Sequence, residues 1–401
     1  MPPQKLHPDS LALTLLLTLL VSFGPMSVDL YVPSMPEVAR VMQTRSGEIQ
    51  LTISLYLMGF AVGQIVGGPI SDRFGRKPTI LGSFSLYCLG SLLCLWAPNI
   101  ETLVAGRIVQ GFGVSGSVVA TRAMVRDMYE GARAGLQFST MNMFMGLMPI
   151  FAPLMGGVLA KFFGWQSVFV FQFFAGLATA ALALLFVVES RLNRTAMSLV
   201  DLLRNYRLIA TNRAFLANTA IGVTAYAGLF AWITGSPFVL QTIVGLEPFG
   251  YSICYAASCS GFIVGGWLGT RLVVSRGLNA MAGIGAVFCT VAGICIVIAA
   301  LAGVALPVTL PICMGVYFIG LAILLAQSTT AALMPFPTQA GTASSLIGCA
   351  QQIAGATMGA LVGATLDKST ALPMAIFVAI AGCGTLLLWL TTQRVRGVHQ
   401  A

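Results

Sequence analysis

Histidine is almost missing from this 401-residue chain: His7 and His399 stand near the termini and none lies between them. That absence removes the Ser/His and Cys/His pairs on which most nucleophilic catalysis depends, and no GxSxG, HExxH or P-loop pattern stands in for them. Cys88, Cys94, Cys254, Cys259, Cys289, Cys295, Cys313, Cys349 and Cys383 form no CxxC pair and have no His beside them. A zinc site is excluded, and the thiols read as small core hydrophobes. Charge is scarce too. Asp, Glu, Lys and Arg make up 8% of residues against 57% hydrophobic, too little polar surface to cover a water-soluble globule.

Apolar runs of about twenty residues, enough to cross a bilayer core, follow one another with hardly any soluble stretch between them. Hydropathy predicts twelve helices, at 11–35, 47–70, 78–97, 100–124, 135–160, 166–188, 213–236, 251–271, 280–302, 308–333, 342–366 and 372–392. The first is not a signal peptide, because it runs on through Asp29 with no small-residue cleavage site. With the N-terminus inside, cytoplasmic segments carry Lys5, Arg73, Arg76, Lys77, Arg122, Arg126, Arg133, Arg191, Arg194, Arg204, Arg207, Arg213, Arg271, Arg276, Arg394 and Arg396, most of the 21 Lys and Arg. The opposite side keeps Arg40, Arg45, Lys161 and Lys368, so the positive-inside rule puts both termini in the cytoplasm. The net charge of +9 is thereby a topology signal rather than a nucleic-acid footprint.

Gly63-Gln-Ile-Val-Gly-Gly68 recurs as Gly261-Phe-Ile-Val-Gly-Gly266, and at the same offset Arg73 falls on Arg271, so the chain contains two similar halves. The segment between them, 189–212, is charged, with Glu189, Arg191, Arg194, Asp201, Arg204 and Arg207, and reads as a solvated connector. Glycines step by four at Gly59, Gly63 and Gly67, at Gly261, Gly265 and Gly269, and at Gly355, Gly359 and Gly363, laying a smooth stripe along three predicted helices.

The turn after the first stripe, Asp72-Arg73-Phe74-Gly75-Arg76-Lys77, resembles the Asp-Arg-x-Gly-Arg-Lys loop between helices two and three of major facilitator superfamily transporters. Gly75 permits a tight reversal, and Asp72 can pair with Arg73, Arg76 or Lys77 or accept from a helix N-terminus in the other half. Three further stretches resemble the same superfamily. Arg107-Ile-Val-Gln-Gly-Phe-Gly113 is similar to the RxxQGxG signature of helix four. Pro149-Ile-Phe-Ala-Pro-Leu-Met-Gly-Gly157 resembles the antiporter motif GPxxGG, with Ala152 in place of its first glycine. Asp29-Leu-Tyr-Val-Pro-Ser-Met-Pro36 resembles the DxYxPxxP end of helix one in the bicyclomycin and chloramphenicol resistance group, and Arg126-Asp127 its RD ending of helix four.

The resemblance implies an all-α polytopic membrane protein of twelve helices in two pseudo-symmetric six-helix bundles, 1–188 and 213–401, with the glycine stripes where the halves meet. It implies gating by Gly68, Asp72, Arg73, Gly75, Arg76, Lys77, Arg126, Asp127, Pro153 and Gly157, and a cavity lined by Asp29, Tyr31, Tyr56, Asn142, Met145, Tyr226, Trp232, Gln327 and Gln351. Asp29 and Arg107 lie seven and eight residues inside their helices, about 10–12 Å each, so depth makes them partners across the cavity. A buried carboxylate whose guanidinium neighbour moves would change its proton affinity, which is the basis of proton coupling.

The function implied is proton-driven efflux of small lipophilic drugs across a bacterial inner membrane. Its partners are the solute, protons and the lipid bilayer, with no cofactor, no metal and no nucleic acid, and it acts as a monomer. Export of an endogenous amino acid or sugar is the alternative. A passive channel would gain nothing from an intramembrane Asp and Arg, and a membrane enzyme would need a catalytic set that the sequence lacks.

Overall fold

The computed structural model describes residues 10–129, 131–190, 199–303, 306–336, 339–366 and 369–396. Lys5, His7, Arg191, Arg194, Lys368 and His399 lie outside them, as does the Asp201 side chain. Counted over the described residues, twelve apolar helices are seen: α1 (Leu11–Val41), α2 (Ser46–Phe74), α3 (Arg76–Leu95), α4 (Ile100–Met128), α5 (Arg133–Phe163), α6 (Gln166–Phe186), α7 (Arg213–Ile243), α8 (248–276), α9 (278–302), α10 (Leu306–Leu333), α11 (Ala340–Thr365) and α12 (Leu372–Thr391). Among the described residues there is no strand. Helices are the only open-ended way to bury this much backbone in lipid, since each satisfies its own N–H and C=O groups.

Starts and stops follow side-chain chemistry. Ser10, Asn99 and Asn212 each accept from an N–H of the first turn, capping α1, α4 and α7. Pro33 and Pro36 tighten α1 into a 3₁₀ turn over Val32–Ser34 without ending it, so the helix runs further than the predicted 35. In α5 the helix breaks at 146–147, just ahead of Pro149, which cannot donate to the preceding turn. Pro237 precedes a π-helical stretch, Phe238–Ile243, at the end of α7.

A loop expected at 271–280 is reduced to one residue. Gly277, at φ 77° and ψ 164°, is the single non-helical position between α8 and α9. Gly75 takes nearly the same conformation between α2 and α3, φ 102° and ψ 165°, a region open to glycine alone. Both bundles thus turn through a glycine in the same conformation, although Gly277 stands four residues beyond the place that the sequence repeat assigns it. A different group holds each turn. Glu189 accepts from the N–H groups of Arg76 and Lys77 at the start of α3, at 2.9 and 3.1 Å. At the second turn the buried Arg396, beyond α12, donates to Asn279 Oδ1 at 2.7 Å, to Thr392 Oγ1 and to the Trp389 carbonyl, while Trp389 Nε1 donates to the Asn279 carbonyl.

The helices form two six-helix bundles, α1–α6 and α7–α12, built alike: α4 packs on α2 and α3, and α10 on α8. The first two glycine stripes serve this internal packing, not the boundary between halves. A Cβ on Gly59 would lie 2.6 Å from the Ile108 carbonyl and one on Gly67 3.2 Å from Gly116 Cα, both on α4; one on Gly265 would lie 2.8 Å from Ile319 Cα on α10. Spacing by four shows that a face is smooth and says nothing of which neighbour it meets. The third stripe does face the other half. On α11, Gly355 packs on Leu57, Gly359 on Ser54 and Gly363 on Gln50, so α2 and α11 run antiparallel in close contact along most of their length.

A Cβ on Gly359 would stand 2.9 Å from Ser54 Oγ and 3.1 Å from Thr234 Cγ2. Gly359→Leu therefore wedges α2, α7 and α11 apart, at a cost of about 1–3 kcal/mol, and is expected to insert and fold while losing most transport. Transport at the wild-type rate, with normal cross-linking between α2 and α11, would show that the contact is dispensable.

Candidate functional site

Asp29 is buried, 5% exposed, midway along α1. Its described hydrogen-bond partner belongs to the other bundle: Tyr255 Oη on α8 donates to Asp29 Oδ1 at 3.3 Å. The ionisable neighbours that feel its charge are Tyr56 on α2, Tyr226 on α7, and Tyr251, Tyr255 and Cys259 on α8. All are neutral near pH 7 by their ordinary acidities.

Arg107 is fully buried on α4 and does not pair with Asp29; no ion pair joins them among the described residues. Its Nη1 donates to Gln110 Oε1 at 2.9 Å, and its guanidinium stands 4.8 Å from the Tyr31 ring centre and 4.4 Å from that of Tyr56. Nε and Nη2 have no partner. The expected pairing fails by azimuth, not depth. Tyr31 and Ser27, one turn apart on α1, face into the first bundle, where Ser27 bonds the Tyr87 hydroxyl and Tyr31 covers Arg107. Asp29 lies about 200° round the helix from each, and so turns toward α8.

Gln110 continues the network. Its amide donates to Ser91 Oγ at 2.7 Å and to Gln172 Oε1 at 2.9 Å, and Gln172 Nε2 donates to the Ser27 carbonyl at 3.0 Å. The chain Arg107–Gln110–Gln172–Ser27 thus ties α4, α3, α6 and α1 around one guanidinium. Gln172 was not among the expected site residues; the signal was present as a lone amide within an otherwise apolar span. Gln172→Leu strips two buried bonds and leaves Gln110 and the Ser27 carbonyl short of partners, for an expected loss of about 1–3 kcal/mol. A thermal unfolding midpoint unchanged from wild type would show that the network contributes nothing.

At the Asp72 turn the nearly buried Arg76 is the hub. Its Nη1 donates to Asp72 Oδ1 at 2.8 Å and Ser71 Oγ at 2.9 Å, and its Nε to Asp127 Oδ2 at 2.8 Å. Asp72 and Asp127 are therefore bridged within one bundle. The carboxylate at a helix N-terminus is that of Glu189 in the same half, so the start of the connector is docked and not solvated, a correction to the charge-based expectation. A Cβ on Gly75 would come 2.9 Å from Glu189 Cδ, a second reason for glycine there. Lys77 Nζ donates to the Leu184 carbonyl at 2.7 Å, and Arg73 lies over Phe74. Gly68 meets no neighbour, and Arg126 reaches across to Gly341 at the start of α11.

The other expected site residues divide. Tyr31 and Tyr56 enclose Arg107, Tyr226 lies against the Phe230 ring on α7, and Trp232 is fully buried with its Nε1 unpartnered. Gln327 lies apart, lining a pocket with Asn218, Asn279 and Arg396 at the Asp72 end of the second bundle. Met145 and Gln351 are half-buried and Asn142 exposed. Buried Pro153 and Gly157 lie on α5, Gly157 beside Pro248 and Ser252 of α8. At the end opposite Asp72 the halves are joined by Gln50 Nε2 to the Thr234 carbonyl at 3.0 Å, Gln241 Nε2 to the Pro33 carbonyl at 3.0 Å, and Lys161 to Glu247 at 2.7 Å.

Two six-helix bundles in contact along α2 and α11, with a buried carboxylate bonded across their boundary, are the architecture of a membrane transporter. The chain belongs to the Major Facilitator Superfamily, whose sequence pattern it matches over residues 15–359. It is 32% identical to the MFS-type transporter YdgK of Bacillus subtilis over 96% of this chain and 97% of that one. The bicyclomycin resistance protein homolog of Haemophilus influenzae is 31% identical over 90% of both chains, and multidrug resistance protein D of Escherichia coli 28% identical over 94% and 95%. Among solved structures, a D-xylose–proton symporter superposes with a TM-score of 0.74 at 17% identity, covering 96% of this chain and 98% of that one. A bacterial homolog of the lysosomal transporter Spinster, in an inward-facing conformation, gives 0.73 at 14%, covering 96% and 98%. These likenesses establish the fold. The protein is a multi-pass bacterial membrane transporter of the group that includes the bicyclomycin and multidrug resistance proteins.

Proposed function

We propose that this transporter expels small lipophilic drugs from the bacterial cytoplasm in exchange for protons, by alternating access of a site between its two bundles. Residues 1–188 and 213–401 are the moving bodies, 189–212 links them, and both termini and the Asp72 turn face the cytoplasm. The observation that carries the reading is the placement of Asp29: an acidic group buried within an apolar span, facing the other bundle and bonded to it. A carboxyl in such a place can exchange a proton with water only where the halves part, so its proton traffic is tied to their movement.

The names of the relatives support drugs as the cargo, and the residues near Asp29 suit them. Tyr56 and Tyr226 offer aromatic faces; elsewhere on α7 the buried Trp232 has an Nε1 donor without an acceptor among the described residues. Few polar anchors on a largely apolar wall suit varied lipophilic molecules. An exporter of an amino acid or sugar would use the same carboxyl. A resistance screen of cells expressing the chain against unrelated toxic compounds distinguishes the two.

Asp29→Asn tests the coupling. The amide keeps the shape and can still accept from Tyr255, but carries no exchangeable carboxyl proton. Gradient-driven drug efflux from proteoliposomes is expected to vanish while counterflow without a gradient persists. Efflux that still follows the imposed pH gradient would move the proton to another residue, and loss of both activities would make Asp29 a substrate ligand or a folding residue.

A further inference from the structure

We infer that the pocket at the Asp72 end of the second bundle binds a phosphate group, carried by an anionic lipid headgroup or by free phosphate, and that this supplies a negative charge the half itself lacks. The inference arises from a gap between the two glycine turns. Gly75 and Gly277 make the same reversal, so Arg76 and Lys77, which begin α3, correspond to Leu278 and Asn279, which begin α9. In the first bundle the Glu189 carboxylate accepts from both N–H groups, and Asp72 and Asp127 flank Arg76. In the second, no described side chain accepts from the N–H of Leu278 or Asn279, and both residues line the pocket. A helix N-terminus left without an anion is a place where one is bound.

The second half has no carboxylate to spare for it. Beyond residue 212 the sequence contains two acidic residues, Glu247 and Asp367. Glu247 pairs with Lys161 at the opposite end, and Asp367 follows α11 in sequence, where that helix ends near Gln50 at the same opposite end. The Asp72 end holds Arg213, Arg271, Arg276, Arg394 and Arg396. The first four are exposed, and the positive-inside rule accounts for them. Arg396 needs another explanation. It is 6% exposed, its bonds go only to neutral acceptors, and it forms no ion pair among the described residues. A buried guanidinium without a countercharge is costly.

The pocket also has donors to spare. Asn279, Thr392 and the Trp389 carbonyl engage three of the five N–H groups of Arg396, leaving two. A guanidinium only donates, so Asn279 turns its oxygen to Arg396 and keeps its NH2 group free. Asn218, 7% exposed, gives one N–H to the Ala214 carbonyl and keeps the other. Gln327, 6% exposed, has no hydrogen-bond partner among the described residues. All four side chains line one pocket, with the exposed Met334 at its rim, so the site opens at the surface. A guanidinium and amide donors at a helix N-terminus, with no acid among them, match the oxygens of a phosphate. A phosphate held there would tie α7, α9, α10 and the chain beyond α12, as Glu189 ties the connector to α3.

Thermal unfolding of the purified full chain tests this at fixed ionic strength, with sodium phosphate against sodium chloride and, separately, in mixed micelles containing phosphatidylglycerol against phosphatidylcholine. At least one phosphate source is expected to raise the midpoint by about 2–4 °C near saturation. A rise with phosphatidylglycerol alone assigns the site to a headgroup, and one with sodium phosphate alone to the free anion. Gln327→Met removes the unpartnered amide and leaves the bonds of Arg396 intact, so it should keep the wild-type midpoint in chloride and lose most of the rise. Arg396→Gln should lose the rise too, from a lower starting midpoint. Arg394→Gln removes an exposed charge at the same end and should respond as wild type. No rise with either source, a full rise in Gln327→Met, or a loss in Arg394→Gln as large as that in Gln327→Met would each overturn the inference.

Discussion

Lipid offers no hydrogen bonds, so every polar group within the bilayer must find its partner inside the protein, and the interior is arranged around the few groups that cannot find one locally. Arg107 presents five donors with no solvent to receive them. One goes to Gln110, two aromatic faces cover the plane, and the need to hold Gln110 in turn places Ser91, Gln172 and the Ser27 carbonyl. Four of the six helices in the first bundle are thereby registered against one another. The α1 face turned to this cluster fixes the opposite face, and with it the direction of Asp29.

Most of the architecture was legible because hydropathy reports length directly. Nine of the twelve predicted spans end within four residues of the observed helices; α1 and α7 run on by six and seven residues, and α8 extends to a lone glycine that replaces the expected loop. The site was legible in depth and not in azimuth. Counting residues placed Asp29 and Arg107 at one level, but which way each pointed was set by partners on other helices. The glycine stripes misled for the same reason: those on α2 and α8 are smooth toward α4 and α10 inside their own bundles, and only the α11 stripe meets the opposite half.

Charge read as solvation was the other weak inference. Glu189 looked like part of a hydrated connector because it stands among arginines, yet its carboxylate satisfies the two exposed N–H groups that begin α3. Tertiary proximity across more than a hundred residues decided this, and no local pattern encodes it. Gln172 was easier to find in principle, since a solitary amide in a run of Phe, Leu and Ala invites the question of what it bonds.

The two glycine turns carry a historical consequence. Both bundles reverse direction through a residue in the same glycine-only conformation, the imprint of a duplicated ancestor. Yet a carboxylate holds the first turn at main-chain donors, while a guanidinium holds the second at a side-chain amide. Once the copies had adopted clamps of opposite sign, neither could stand in for the other. An exchange of the clamps alone would bring a cation to the N–H groups of Arg76 and Lys77, so each half is committed to its own way of holding the turn.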